Sequence, residues 1–171
     1  MMSELPEKVQ SLIGKSSYAC DADCEVSQSN VRALCATVQN ANPVYWDAEQ
    51  AESIVGARIA PTAMLSTWGR PERWSPTESA ATKPLQLHYD LKELFGFPVA
   101  IVGSFESVFH APVLIGDSLH TCQVLRSVSE EKDTRLGRGR FWVIEMQYHN
   151  QRDELAGVDT FNCFGYRKAG S

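Results

Sequence analysis

Apolar residues along the chain follow two different periods. Val31, Leu34, Cys35 and Val38 recur at i, i+3, i+4 and i+7, which predicts a helix over residues 28–39 with Ser27 as its N-cap. Asp47-Ala-Glu-Gln50 has the form of a capping box and predicts a second, shorter helix beginning at Asp47. A third helical stretch, 62–68, follows Pro61 and stops before Gly69-Arg70-Pro71. Pro71, Pro76 and Pro84 make 69–86 mostly loop, and Leu87, Leu91, Leu94 and Phe95 predict one more helix closed by Gly96 and Pro98.

Beyond Pro98 the period shortens to two. Ile101, Gly103, Phe105, Ser107 and Phe109 alternate with Val102, Ser104, Glu106, Val108 and His110, the pattern of a half-buried strand. Leu119 to Val128 reads as a second strand with poor alternation. Trp142, Ile144, Met146 and Tyr148 share one face of a third, and Leu155 to Tyr166 is a fourth, preceded by the turn-like Asn150-Gln-Arg-Asp153. A first strand is expected within 13–26. Helices followed by antiparallel strands predict an α+β layer fold, with helix packed on one face of the sheet. A doubly wound nucleotide-binding fold is excluded, since there is neither βαβ alternation nor a glycine-rich phosphate loop.

The 171 residues suit one domain, taken as 1–171. With 43% hydrophobic and 22% charged residues the composition is globular. A net charge of −5 gives no global basic field to draw nucleic acid or an anionic membrane, so neither is an expected partner. Glu4 and Glu7 and the lack of an apolar run near the start argue against a secretory leader, and no stretch reaches the roughly 20 apolar residues that cross a bilayer. Cys20, Cys24, Cys35, Cys122 and Cys163 are odd in number and lack framework spacing, as reduced thiols do, so the expected location is cytoplasmic. Cys20 and Cys24 have no second Cys or His pair at zinc-site spacing, and no metal is expected.

Three strings carry a resemblance. They are Asn40-Ala-Asn-Pro-Val-Tyr-Trp-Asp47, Ile59-Ala-Pro-Thr-Ala-Met-Leu65 and Phe109-His-Ala-Pro-Val-Leu-Ile-Gly-Asp117. In this order the chain resembles the MaoC-like (R)-specific enoyl-CoA hydratases and dehydratases, in particular their FAS1-like dehydratase branch, over about 13–167. The resemblance implies the hotdog fold, an antiparallel sheet wrapped around a central helix. In catalytic members the first string reads Asp-x-Asn-Pro-x-His, and the Asp and His act on water across an enoyl thioester. Here the matching positions are Asn40 and Tyr45. An amide has no usable basicity, and a phenol of pKa ~10 is a poor base near neutral pH. Catalytic members also carry His-Gly at the start of the central helix, where a backbone N–H polarises the thioester carbonyl. This chain has Pro61-Thr62, and proline donates no N–H, which leaves Thr62 and Ala63 to present amides.

The resemblance therefore implies a non-catalytic, acyl-CoA-binding subunit of a heteromeric enoyl-CoA hydratase, whose partner is a MaoC-type chain retaining Asp and His. The CoA thioester is substrate, and no further cofactor is expected. Expected substrate-binding residues are Asn42, Pro43, Tyr45, Trp46, Pro61, Thr62, Ala63 and Trp68. Asn42 and Pro43 equally suit a plain turn, Tyr45 and Trp46 suit core packing, and helix capping accounts for Asp47. The only concentrated basic stretch, 135–140, offers Arg135, Arg138 and Arg140 to CoA phosphates, or is a solvated hairpin. Residues 69–86, with Trp68 and Trp74, read as a lid or a widened pocket for a bulky acyl group such as a steroid or bile-acid side chain, with an exposed insertion as the alternative. A structural role is the default for His88, His110, His120 and His149. Two other functions stay open: a non-enzymatic homodimer that binds acyl-CoA or lipid, and a hotdog thioesterase, for which 60–64 supplies no carboxylate.

Overall fold

The computed structural model describes residues 5–21, 24–70, 76 and 83–168. Six antiparallel strands form the sheet: β1 (Ser16–Asp21), β2 (Val99–Phe109), β3 (Leu119–Val128), β4 (Lys132–Thr134), β5 (Gly137–Asn150) and β6 (Leu155–Arg167). Their order is β1-β3-β5-β6-β2, and β4 pairs with β5 beyond the end of β3. The helices are α1 (Glu7–Gln10), α2 (Gln28–Thr37), α3 (Ala48–Val55), α4 (Leu65–Trp68) and α5 (Gln86–Leu94), with 3-10 turns at Pro43–Tyr45 and Thr62–Met64. None is long and apolar enough to cross a membrane.

Local chemistry sets the helix starts. Ser27 accepts the Asn30 amide at the head of α2, and Asp47 Oδ1 accepts those of Glu49 and Gln50, at 2.8 and 3.2 Å, at the head of α3. α3 ends at Gly56, whose φ of 74° is a left-handed conformation that glycine adopts without strain. The stretch after Pro61 is a 3-10 turn followed by the single turn α4. Gly69 follows α4 where the backbone lies close to β3, and a Cβ there would lie 2.5 Å from Thr121 Cγ2.

Trp142, Ile144, Met146 and Tyr148 of β5 all point inward, as their alternation predicts. They divide between two core clusters. Met146 and Tyr148 pack with Val31 and Cys35 of α2, Leu65 and Trp68 of α4, Leu119 and Ala156. Trp142 and Ile144 pack with Val9 of α1, Leu87 and Leu91 of α5, Phe97, Leu125 and Cys163. The six-residue step from Trp142 to Tyr148 separates the two ends of the sheet by about 20 Å.

Two strands depart from the sequence expectation. β2 is not half-buried: from Ile101 to Glu106 every residue is exposed, because β2 is an edge. A register shift between Val102 and Ser104 also reverses its faces. Ile101 therefore pairs with Phe164, while Val102 joins Phe105, Ser107 and Phe109 opposite Cys163, Phe161, Asp159 and Gly157. In β3, a shift between Leu125 and Ser127 explains the poor alternation. The first strand occupies only Ser16–Asp21, and α1 and β4 are too short to leave a periodic signal.

Candidate functional site

The three strings converge at the α2 end of the sheet. Ala60 N–H donates to Val113 O at 2.8 Å and Ile115 N–H to Arg58 O at 2.9 Å, which joins the second string to the third. Asp117 is buried and accepts from Leu114 N–H at 2.8 Å and Gln151 Nε2 at 3.0 Å, with Arg152 Nη1 at 3.3 Å. Asp117 thus staples the turn between β2 and β3.

Asn40 is half-buried and held by its own segment. Its Oδ1 accepts the Asn42 amide at 3.0 Å, its carbonyl accepts Trp46 Nε1 at 2.7 Å, and its amide donates to Cys35 O at 2.8 Å. Asn42 in turn caps the 3-10 turn through Val44 N–H at 3.1 Å, with Pro43 as the first residue of that turn. Tyr45 packs its ring against the first core cluster. A shallow groove of about 520 Å³ runs along Cys35, Gln39, Asn40, Pro43, Trp46 and Asp47. Desolvation raises the Cys35 thiol above its ordinary range.

The expected binding residues fall into separate places. Pro43 and Trp46 line the groove; Tyr45 and Trp46 line a narrower cleft with Gln28, Arg32 and Arg58. There Arg32 Nη2 donates to Trp46 O at 3.0 Å and Arg58 Nη2 to Gln28 Oε1 at 2.7 Å. Pro61 is half-buried, and Thr62 and Ala63 are exposed at the start of their turn. Trp68 is enclosed in the core, its Nε1 without an acceptor among the described residues. Trp74 lies outside the described residues, as does most of 69–86.

The arginine stretch is not beside these strings. Gly139 and Arg140 pair with Tyr166 and Gly165 at the opposite end of the sheet. Arg138 pairs with Glu131 at 3.3 Å. Arg140 is buried, donates to Ser129 O at 2.9 Å and stacks over Phe95, so its guanidinium is turned into the protein rather than toward a phosphate in solvent.

The histidines take different roles. His88 Nδ1 accepts Trp142 Nε1 at 3.2 Å in the second core, and burial lowers its pKa from 6.5. His120 stacks on His149 at 5.3 Å and meets Asp153 at 3.2 Å, and both rings are half-buried on the face of the sheet away from the helices. His110 is exposed at the end of β2. Sequence reasoning missed a buried carboxyl on the inner face: Asp159 accepts from Ser107 Oγ and from Tyr148 Oη, the latter at 2.8 Å. No local motif marks this group, because β2, β5 and β6 each contribute one member.

Comparison with known proteins gives the family and the fold. Residues 11–157 match the model of the FAS1-like, dehydratase domain region. The chain is 28% identical over 142 residues to a probable enoyl-CoA hydratase alpha subunit from Thermomonospora curvata, covering 80% of this chain and 44% of that protein. It thus spans under half the length of that relative. Among solved structures it resembles the ChsH1-ChsH2 complex of Mycobacterium tuberculosis with a TM-score of 0.76 at 22% identity, covering 95% of this chain and 90% of that one. A C-terminally truncated HadBC (3R-hydroxyacyl-ACP dehydratase) complex of the same organism gives 0.53 at 18% identity, over 88% and 96%. The likeness to these and other MaoC-like structures shows the hotdog fold.

Proposed function

The chain belongs to the FAS1-like dehydratase domain family, and from that premise we propose that it is the acyl-CoA-binding, non-catalytic half of a two-chain enoyl-CoA hydratase, equally a 3-hydroxyacyl dehydratase. The observation that carries this reading is the chemistry at Asn40 and Tyr45. Hydration needs a base to take a proton from water as oxygen attacks the β-carbon, and an acid to protonate the α-carbon, each worth about 10²–10⁴-fold. Asn40 supplies neither, and its side-chain oxygen already accepts from the Asn42 amide. Tyr45 is packed on the core. The proton-moving pair comes from a MaoC-type partner that retains Asp and His, while this chain shapes the acyl site and excludes water from it.

The edge strand β2 supports a partner. A long edge strand with exposed apolar side chains is a template for pairing with another chain. Here Val102 is 45%, Phe105 62%, Val108 44% and Phe109 46% exposed. Heteromeric assembly is also the form of the ChsH1-ChsH2 and HadBC complexes. A bulky acyl group, such as a steroid or bile-acid side chain, suits a site floored by these aromatic rings. Five cysteines outside any disulfide support a cytoplasmic location.

The test is calorimetric titration of the full chain with a trans-2-enoyl-CoA, alongside affinity purification from its native cell. The reading expects thioester binding and co-purification of a chain with an intact Asp-x-Asn-Pro-x-His string. No binding by the chain, alone or in its complex, would overturn it.

A further inference from the structure

Asp159 is a carboxyl group at 5% exposure on the inner face of β6, and among the described residues its partners are two hydroxyls and no cation. A buried carboxylate is costly unless hydrogen bonds replace its water. Tyr148 and Ser107 each donate to a different oxygen, Tyr148 from β5 and Ser107 from β2. Burial first, then the neighbouring Asp159, holds the Tyr148 phenol well above its ordinary pKa, so it stays a donor. A carboxylate has about four acceptor positions, and these two bonds leave some unused.

Apolar side chains flank this buried row. One pleat away, α4 presses on β6: a Cβ at Gly157 would lie 2.6 Å from Leu65 Cδ2. In the other direction Phe161 stacks with Phe105 at 5.8 Å, and Val102, Phe105 and Phe109 of the same face are exposed. The polar row thus sits in the floor of an apolar surface that runs to the β2 edge. The Arg70 charge also reaches Tyr148, so a cation already stands near this row. A neutral donor fits.

We propose that Asp159, braced by Tyr148 and Ser107, is a hydroxyl-recognition site that accepts a hydrogen bond from an alcohol on the acyl portion of the bound thioester. This rests on the acyl-thioester reading above and adds to it a preference for hydroxylated acyl groups. The alcohol has two sources, the 3-hydroxyl of the hydrated product or a hydroxyl on a distant ring system, and Asp159 treats both alike.

The experiment measures Kd by calorimetry on the full chain, alone and in its complex, for two matched pairs: 3-hydroxydecanoyl-CoA against decanoyl-CoA, and cholyl-CoA against cholanoyl-CoA. A hydrogen bond to a charged acceptor predicts that the hydroxylated member of at least one pair binds about tenfold more tightly or better. The pair that shows the preference identifies the source. Asp159→Asn abolishes most of that preference while the unhydroxylated members still bind. Ser104→Ala, on the outer face of β2, leaves it intact. Equal affinity within both pairs overturns the inference and leaves the acyl-thioester reading standing, and this is readable without any variant. Equal weakening of both members by Asp159→Asn assigns Asp159 a structural role and also overturns it. If no acyl-CoA binds, both readings fall together.

Discussion

His88 ties pH to stability at one side chain. Its Nδ1 must stay unprotonated to accept Trp142 Nε1, and burial lowers its pKa in the folded chain below the 6.5 of the unfolded one. Below pH 6.5 the unfolded chain takes up a proton that the folded chain resists, so stability falls as pH drops through that value toward the folded pKa. Thermal melts should show a lower Tm at pH 5.5 than at pH 7.5, with a weaker difference in His88→Gln, which keeps an acceptor that does not titrate. An unchanged slope in that variant would remove His88 from the account. Trp142 itself is 1% exposed and central to the second core, so Trp142→Ala should cost about 3–5 kcal/mol in urea unfolding.

Among the elements, β2 separates stability from assembly. Val108 lies on the outer face of this edge, opposite Val158, 44% exposed and away from the proposed acyl surface. Val108→Lys should change the stability of the isolated chain by no more than about 0.5 kcal/mol. The same charge at a paired edge should weaken partner binding about thirtyfold or more, measured by biolayer interferometry. α4 shows the opposite coupling. It rests on β6 at Gly157 without room for a Cβ, so Gly157→Val should destabilise the chain by forcing helix and strand apart.

At the scale of the whole molecule, the parts legible in the sequence are those whose signal is local. The α2 stripe, the Ser27 and Asp47 caps and the inward face of β5 depend on neighbours within a few residues, and the structure repeats them. The bulge in β2 was not legible, because a one-residue register shift carries no compositional mark. The exposure of β2 was not legible either: its apolar alternation predicts half-burial, and in the chain alone those side chains stand open. Residues 107, 148 and 159 meet only through three paired strands, so no spacing rule would gather them. Arg135, Arg138 and Arg140 are close in sequence, yet they sit at the end of the sheet away from the three strings.

Catalytic dependence on a second chain is most directly tested by turnover of the purified full chain alone. The measurement is absorbance loss of a trans-2-enoyl-CoA at the enoyl thioester band, repeated after the co-purifying subunit is added. The account predicts no rate above the buffer blank for the chain alone, and hydration once the subunit is present. Sustained turnover by the isolated chain, at a rate the complex does not exceed, would contradict it.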